Sequence, residues 1–250
     1  MTLAFISAMP DELEAVLALL PDEQRIALGG RSFWRGHLHG HTVVAVLSGI
    51  GKVAAATTTA LLIQRFGASQ VVMTGVAGGL GAGVAVGDVV VARELLQHDM
   101  DGSPIFARYE VPGYGLSRFA ADPGLSERLR RASLAALREP QTTLGADAVA
   151  NFGLQAPRVH EGLLISGDRF VSRSADSAAL SAALPDALAV DMESAAVAQV
   201  CADFSVPMAV LRTISDRADD TAHMDFPRFL TQVASRYSAA IVEALLRGSA

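Results

Sequence analysis

Short apolar runs alternate with longer Ala- and Leu-rich stretches along most of this chain, and this alternation is what most restricts the possible fold. Residues 2–7 and 70–74 are apolar runs of strand length, whereas residues 10–20 and 53–66 have the composition of helices. Helices that alternate with strands pack against the faces of a mostly parallel sheet. The pattern therefore predicts an α/β fold with a central mixed, mostly parallel sheet flanked by helices, forming a single domain over residues 1–250.

The other predicted elements follow the same alternation. Residues 32–38 and 42–48 are expected to form an antiparallel hairpin. Residues 98–124 are polar and rich in Gly and Pro, and residues 140–160 are expected to be loop with no more than one helical turn. The Gly-rich segment 75–83 is expected to make tight turns between a strand and a helix. Further strands are predicted at 88–92, 161–166, 187–191 and 207–214, and further helices at 125–138, 193–204 and 226–247.

Composition limits the kinds of partner. The formal net charge is −6 and the Lys and Arg residues are scattered, which argues against binding to nucleic acid or to an anionic membrane surface. Charged residues interrupt every long apolar stretch before the roughly 20 residues that a membrane span needs. The N-terminus lacks the basic region of a signal peptide, and the single Cys201 is expected to be a small core residue in a reducing compartment. The sequence thus predicts a soluble, cytoplasmic protein whose partner is a small molecule.

Polar residues collect where the predicted strands end. Ligands of open α/β sheets bind beyond the carboxyl ends of strands, and Glu12, Glu193 and Asp216 each follow such an end, with Arg212 and Ser215 close to the third. Taken singly, Glu12 and Glu193 are typical of the first turn of a helix, where a carboxylate complements the dipole. Gathered together, like charges raise at least one pKa, so that one carboxyl group can act as an acid and another as a base. Such a pair breaks glycosidic bonds, and the residues indicate a hydrolase or glycosyl transferase that acts on a small ligand.

Two other kinds of site are disfavoured. The segment GVAGGLGAG lacks the pattern of a P-loop, and no acidic residue follows it where a dinucleotide-binding fold would need one. His98 and Asp99 are adjacent, but the histidines lack the paired spacing of a zinc site and the cysteine is remote. No metal is predicted, and Asp219 and Asp220 are expected to be charges of a loop.

Six segments resemble the purine nucleoside phosphorylase superfamily in order and approximate spacing, and are most similar to its 5'-methylthioadenosine/S-adenosylhomocysteine nucleosidases. The resemblance covers nearly the whole chain, and residues 138–160 are the poorly matched part. The combination is far more specific than any one segment. The six are AMPDELE, SGIGKVAAA, TGVAGGL, SGDRFV, VDMESAAVAQVC and RTISDRAD.

The resemblance implies a reaction and a role for each polar residue. The N9–C1' bond of 5'-thio-substituted adenosines would be hydrolysed to adenine and a thioribose, without a cofactor and as a step of methionine salvage. Asp216 would deliver a proton to adenine N7, with Ser215 holding its carboxyl group. Glu12 would deprotonate the attacking water with help from Arg212, and Glu193 would accept hydrogen bonds from the ribose hydroxyls.

The resemblance also implies the binding residues. Phe170 would stack on adenine, the backbone of Val171 would contact the edge of the base, and Met192 would lie beneath the ribose. An apolar pocket for the 5' group would be lined by Met9, Ile50 and Phe226. Members of the family are homodimers in which a loop of the second subunit closes this pocket. The corresponding segment is 98–113, and its expected apolar contributors are Ile105 and Phe106.

Three departures from the family pattern leave alternatives open. Val76 stands where a serine is common, Asp191 stands where a glutamate is common, and Gly102 and Pro104 alter the dimer loop. The substrate could therefore also be 5'-deoxyadenosine or a futalosine-type nucleoside. The alternative functions are a nucleoside phosphorylase and a nucleoside-binding homologue of low activity. Val76 argues against phosphorolysis, because it replaces a residue with a hydroxyl donor. Val76 is also expected to lower the hydrolytic rate.

Overall fold

Runs rich in Val, Ile and Ala form one mixed sheet. A computed structural model describes residues 2–154, 156–218 and 226–248, and in these residues the sheet has eleven strands. Their order across the sheet is β2-β3-β4-β1-β5-β11-β6-β10-β9-β7-β8. The strands are β1 Thr2–Ser7, β2 Gln24–Leu28, β3 Arg31–Leu38, β4 His41–Leu47, β5 Ala68–Thr74, β6 Val76–Gly79, β7 Val89–Gln97, β8 Arg118–Ala120, β9 Val159–Ser166, β10 Ala187–Asp191 and β11 Met208–Asp216.

The helices connect these strands and cover the sheet. The C-terminal helical segment contains a π-helical stretch, Leu230–Ala234, between α8 and α9. Among the described residues, no helix is both long and apolar enough to cross a lipid bilayer. The helices are α1 Pro10–Leu17, α2 Lys52–Phe66, α3 Pro123–Leu137, α4 Pro140–Leu144, α5 Ala146–Phe152, α6 Ser174–Ala183, α7 Ser194–Asp203, α8 Phe226–Phe229 and α9 Ser235–Arg247.

Strand β11 is the centre of the sheet. It runs parallel to β5 through Met208–Val210 and parallel to β6 through Thr213–Asp216. Its other edge pairs antiparallel with β7, so that β11, β6, β10, β9 and β7 close into a ring. Because β1, β5, β6 and β11 run parallel, their carboxyl ends lie at one edge of the sheet. The predicted α/β class with a mixed sheet flanked by helices is confirmed.

The two faces of the sheet carry separate hydrophobic cores, as expected for strands buried on both sides. In β1, Leu3 and Phe5 belong to one core, and Ala4 and Ile6 belong to the other. The first core includes residues of α1, α3 and α9, and the second includes residues of α2 and α7. Alternation along the strands therefore fixes which side chains of β11 face each helical layer.

Several predicted elements differ from the observed ones. Residues 75–83 were expected to be a turn leading into a helix, but Val76–Gly79 form strand β6, which pairs with β10 and β11. Residues 140–160 contain two short helices, α4 and α5, rather than a single turn, and α1 ends at Leu17 rather than at residue 20. The sequence did not predict the edge strands β2 and β8 or helix α6. No residue of α6 is buried.

Candidate active site

A cavity of about 330 Å³ lies beyond the carboxyl ends of the central strands. Eleven of the fourteen residues predicted for the site line it: Met9, Ile50, Val76, Phe170, Val171, Met192, Glu193, Arg212, Ser215, Asp216 and Phe226. The other lining residues are Ala8, Ala77, Gly78, Arg169, Val190 and Asp191, each of which lies within two residues of a predicted position in the sequence. Glu12, Ile105 and Phe106 are the predicted residues that do not line it.

Arg212 is fully buried on β11 and is surrounded by acceptors. Its Nε donates a hydrogen bond of 2.7 Å to Asp191 Oδ2, and its Nη2 donates one of 3.2 Å to Glu193 Oε2. A third bond, of 3.3 Å, runs from Nη1 to the carbonyl oxygen of Thr74. Burial opposes the charge, but Asp191, Glu193 and Glu12 outweigh it and raise the pKa of Arg212. The guanidinium is therefore a permanent buried cation.

Asp191 is the last residue of β10, and several hydrogen-bond donors surround its carboxylate. Its carboxylate accepts hydrogen bonds from the hydroxyl groups of Ser166 and Ser194, and from the backbone N–H groups of Glu193 and Ser194. Together with the bond from Arg212, these contacts satisfy both oxygens of a carboxylate that is 6% exposed. Asp191 therefore fixes the position of Arg212 and the start of α7.

Glu193 directly precedes α7 and belongs to the same buried cluster. Its position differs slightly from the prediction, because the helix begins at Ser194 and Glu193 is its N-cap rather than part of its first turn. Its Oε1 accepts a hydrogen bond of 3.0 Å from the N–H of Gly51, at the start of α2. Burial raises the pKa of Glu193, and the neighbouring charge of Asp191 adds to this effect while Arg212 opposes it.

Glu12 lies behind the cavity wall, in the first turn of α1, and is fully buried. Within the described part of the chain, neither of its carboxylate oxygens has a hydrogen-bond partner. Burial is the largest cause of a pKa raised to about 7, although the charge of Arg212 opposes the shift. Glu12 is thus a carboxyl group that changes protonation state near neutral pH, next to a buried ion pair.

Asp216 ends β11 on the other side of the site and is 8% exposed. The hydroxyl of Ser215 donates a hydrogen bond of 2.6 Å to Oδ2, and the backbone N–H of Ala218 donates one of 2.7 Å to Oδ1. Ala218 has a positive φ of 51°, a conformation that few residues other than Gly adopt, and this turns its N–H towards the carboxylate. The orientation of Asp216 is therefore fixed at both oxygens.

Apart from Arg169, the rest of the cavity wall is apolar. Met9, Val76 and Phe226 pack against the core that contains α1 and α9. Phe170 is 49% exposed and Ile50 is 61% exposed, so both present apolar surface at the mouth. Such a wall suits a ligand with a large apolar part and a few polar groups.

The remaining predicted positions lie elsewhere. Ile105 is 82% exposed on the segment 98–113, and Phe106 is partly buried on the same segment. Asp219 and Asp220, the expected loop charges, lie outside the described residues. Among the described residues, no group of three or more His, Cys, Asp or Glu side chains is arranged to hold a metal ion.

The fold and the cavity together define an α/β protein with a ligand-sized cavity at the carboxyl ends of its strands. Comparison with known proteins narrows this class. The family model described as the phosphorylase superfamily matches residues 2–247. The chain belongs to the phosphorylase superfamily.

Several solved structures are similar over nearly their full length. One is the 5'-methylthioadenosine/S-adenosylhomocysteine nucleosidase from Neisseria meningitidis in complex with methylthio-immucillin-A, which is 37% identical with a TM-score of 0.87, and 99% of each chain is covered. The S-adenosylhomocysteine nucleosidase from Streptococcus pyogenes in complex with 5-methylthiotubericidin is 30% identical with a TM-score of 0.86, and 100% of this chain and 98% of that chain are covered. The futalosine hydrolase of Helicobacter pylori is 31% identical with a TM-score of 0.85, and 99% of this chain and 98% of that chain are covered. Because these similar proteins are hydrolases, the predicted enzyme class is confirmed, and the chain is an enzyme of the hydrolase class.

Proposed function

We propose that this enzyme is a nucleosidase that hydrolyses the N-glycosidic bond of 5'-thio-substituted adenosines, such as methylthioadenosine and S-adenosylhomocysteine, to adenine and a thioribose. The observation that carries the proposal is the contrast between Asp216, which lines the cavity, and Glu12, which is buried behind the residues that line it. Asp216 is held at both oxygens on one side, whereas Glu12 is buried without a described partner on the other. A carboxyl group whose pKa is raised to about 7 suits a general base at neutral pH, and a carboxyl group oriented at both oxygens suits directed proton transfer.

In the proposed reaction, Asp216 protonates N7 of the purine and so makes the base a neutral leaving group. The bond from Ser215 to Oδ2 and the bond from Ala218 to Oδ1 aim its carboxyl group at one position in the cavity. A fixed orientation lowers the entropic cost of reaching the geometry for proton transfer. Asp216 is therefore the proposed general acid.

The proposed roles on the other side concern the sugar and the water. Glu12, with its pKa of about 7, is ionised in a large fraction of molecules at neutral pH and deprotonates the attacking water. Glu193 accepts hydrogen bonds from the ribose hydroxyls. Glu12, Asp191 and Glu193 surround a single guanidinium, that of Arg212, so the buried cluster has more negative than positive groups. This excess stabilises the positive charge that develops on the sugar during bond cleavage.

The cavity supports an adenosine with an apolar 5' substituent. In this proposal Phe170 stacks on the base, the backbone of Val171 contacts its edge and Met192 lies beneath the ribose. Met9, Ile50, Val76 and Phe226 then provide apolar surface for a thioalkyl group. A hydroxyl group placed against this wall would lose its hydrogen bonds to water, at a cost of about 1–3 kcal/mol.

The charges of the cavity favour hydrolysis over phosphorolysis. Among the described lining residues two are cationic, Arg169 and Arg212. Arg169 pairs with Asp176 at 3.1 Å, and Arg212 pairs with Asp191 and Glu193. Since both guanidinium groups are engaged by carboxylates, neither is poised to hold a phosphate dianion.

Incubation of the purified protein with methylthioadenosine in phosphate-free buffer tests the proposal. We expect release of adenine, measured by chromatography, and we expect the sugar product to remain methylthioribose when phosphate is added. Adenine release that requires phosphate, with formation of methylthioribose 1-phosphate, would instead identify a phosphorylase. Tight binding of the nucleoside without any turnover would identify a nucleoside-binding homologue.

A competition assay resolves the substrate. The similarity to a futalosine hydrolase makes futalosine a specific second candidate. Methylthioadenosine, S-adenosylhomocysteine, 5'-deoxyadenosine and futalosine are mixed in equal amounts, and the loss of each is followed. We expect the two thioadenosines to be consumed first, because the apolar wall includes Met9 and Val76.

We also propose that the enzyme acts without a cofactor, in the cytoplasm, within methionine salvage and as a homodimer. The buried free thiol of Cys201 suits a reducing compartment. The exposed side chain of Ile105 supports the dimer, because an isoleucine that is 82% exposed gains by being covered. In the dimer, Ile105 and Phe106 of segment 98–113 would complete the site of the other subunit.

A further inference from the structure

Three residues from three distant segments close a ring of hydrogen bonds at the mouth of the cavity. The backbone N–H of Lys52 donates to Asp168 Oδ1 at 2.7 Å. The backbone N–H of Asp168 donates to Asp99 Oδ2 at 2.9 Å. Asp99 Oδ1 accepts the third bond, at 2.7 Å, from Nζ of Lys52. The start of α2, the segment after β7 and the segment after β9 are thereby tied together.

The ring is charged and partly shielded from water. The side chain of Lys52 is 16% exposed and that of Asp99 is 33% exposed. Burial disfavours ionisation of Asp99, but the ammonium of Lys52 and the N–H of Asp168 outweigh it and hold the pKa of Asp99 below its usual range. The Lys52 ammonium also donates a hydrogen bond of 3.1 Å to Gln97 Oε1. A pair with these additional partners is better ordered than an isolated surface ion pair.

The ring flanks two residues of the cavity wall that have little packing of their own. Ile50 precedes Lys52 by two positions and is 61% exposed, and Phe170 follows Asp168 by two positions and is 49% exposed. Both side chains line the mouth of the cavity. Within one subunit, little of their surface is packed, so their positions there depend largely on the backbone that carries them.

Gly51 links the ring to the buried carboxyl cluster. Its N–H donates to Glu193 Oε1 at 3.0 Å, and its φ is 95°, in the left-handed region. A Cβ atom built at Gly51 would lie 3.0 Å from Asp168 Oδ1. Two successive N–H groups at the start of α2 thus meet two carboxylates, Glu193 in the site and Asp168 in the ring.

We infer that Lys52, Asp99 and Asp168 are positioning residues that hold Ile50 and Phe170 in the geometry that binds substrate. None of the three lines the cavity. They act through backbone placement, so they set the affinity for the nucleoside more than the rate of bond cleavage. This inference rests on the proposed nucleosidase activity for its assay.

The test uses Lys52→Met and Asp168→Ala, alone and together, in the full-length protein; alanine removes the oxygen that accepts the N–H of Lys52, which asparagine would keep. The structure shows no direct bond between the two altered groups, because the ammonium bonds to Asp99 and Gln97 and Asp168 Oδ1 bonds to the Lys52 backbone. Each single variant is expected to raise KM for methylthioadenosine roughly tenfold and to leave kcat within about threefold. The double variant should raise KM no further than the more affected single variant does. Either substitution alone opens the ring, and Ile50 and Phe170 then lose the same support.

Asp186→Ala is the matched control. Asp186 pairs with Arg118 at the same N···O distance of 2.7 Å, at the start of β10 and therefore far from the strand ends that form the cavity. Its KM should equal that of the wild type. Asp99→Asn is a milder variant of the ring, because it keeps one acceptor oxygen, and it should raise KM less than Lys52→Met does. It replaces the other variants if they are too unstable to assay.

The outcomes separate this inference from the proposed function. KM effects that multiply in the double variant, or unchanged KM with lowered kcat, would overturn the ring as a positioning unit. If the wild type releases no adenine, the proposed function fails, and the Kd for adenine, measured by calorimetry, then replaces KM with the same expected pattern. If the wild type neither releases nor binds adenine, both ideas are wrong.

Discussion

Arg212 and Asp191 are joined by a hydrogen bond of 2.7 Å although strand β6 lies between the strands that carry them. The side chains meet because Gly75, the residue between β5 and β6, leaves room for the guanidinium. A Cβ atom built at Gly75 would lie 1.7 Å from Arg212 Nη1. The glycine of the TGVAGG segment is thus required by the close approach of a buried cation rather than by a turn.

Gly75→Ala is therefore expected to displace Arg212 and to disrupt the whole carboxyl cluster. Since the arginine is fully buried, the clash cannot be relieved by a small shift towards solvent. We expect a loss of stability of about 1–3 kcal/mol, typical of an overpacked interior, together with loss of adenine release. Thermal unfolding and the adenine assay measure the two effects.

Gly83→Ala is the control for this prediction, because a Cβ atom built at Gly83 meets nothing within 4 Å. It should keep both the stability and the activity of the wild type. Equal behaviour of the two variants would show that Arg212 is not confined as the structure indicates.

Asp216→Asn tests the proposed general acid. Asparagine keeps the shape of the side chain and can still accept the N–H of Ala218, but it has no acidic proton to give to the purine. We expect kcat for methylthioadenosine to fall by roughly 10²- to 10⁴-fold with little change in unfolding temperature. Ser215→Ala should cause a smaller fall, because it removes only the hydroxyl that orients the carboxyl group. Near-normal turnover by Asp216→Asn would remove the acid role.

Glu12→Gln tests the proposed base and makes a prediction about pH. The pKa of about 7 in the folded protein lies above the ordinary value of 4.5, so the folded state binds the proton more tightly than the unfolded state does. Glu12 therefore lowers the free energy of unfolding as pH rises from about 4.5 to about 7, by an amount on the order of 2–3 kcal/mol. The variant lacks this loss, so its stability relative to the wild type should be greater at pH 8 than at pH 5.

The activity of the same variant should fall by roughly 10²- to 10⁴-fold. In the wild type, kcat/KM should decrease as pH falls below about 7, where Glu12 becomes protonated. Glu14→Gln is the control, since Glu14 is exposed on the same helix and is not among the charges that shift the pKa of Glu12. A stability difference between Glu12→Gln and wild type that does not change with pH would contradict the raised pKa.

The central strands were predictable because their residue patterns are unambiguous. Residues 2–7 and 187–191 have the bounds of β1 and β10, and the change in polarity at Ser215 located the end of β11 within two residues. Strand β6 was not predictable in the same way. Its sequence, VAGG, has low intrinsic strand preference, and it is a strand only because β10 and β11 offer hydrogen bonds on both sides.

Some features of the site were likewise predictable from the sequence, and others were not. Strand ends are visible in the sequence, and most of the residues predicted from them, although not Glu12, line one cavity. The ring of Lys52, Asp99 and Asp168 was not visible, because its bonds join residues that are 47, 69 and 116 positions apart. Such pairings depend on the order of strands in the sheet, which alternation alone does not specify.

Val76→Ser tests the departure from the common serine. Val76 packs with the core that contains α1 and α9, so its replacement removes apolar contacts while it restores a hydroxyl group at the cavity wall. We expect kcat/KM for methylthioadenosine to be kept or raised and stability to fall by about 1 kcal/mol. Val76→Ala is the matched control, since it removes similar contacts without adding a hydroxyl. A severe drop in activity in Val76→Ser but not in Val76→Ala would mean that the hydroxyl is harmful and that the pocket is built differently.

Ile105→Glu tests the proposed dimer and the contribution of segment 98–113 to the site of the other subunit. A glutamate in place of this exposed isoleucine leaves the isolated subunit intact, because the side chain is 82% exposed there, but it would bury a charge in a dimer interface. We expect light scattering to show a dimer for the wild type and a shift towards monomer for the variant, with KM raised at low protein concentration. Ile26→Glu, on the exposed edge strand β2, is the control and should change neither mass nor KM. A wild type that is monomeric and fully active at all concentrations would show that each subunit completes its own site, and Ile105 and Phe106 would then have no part in it.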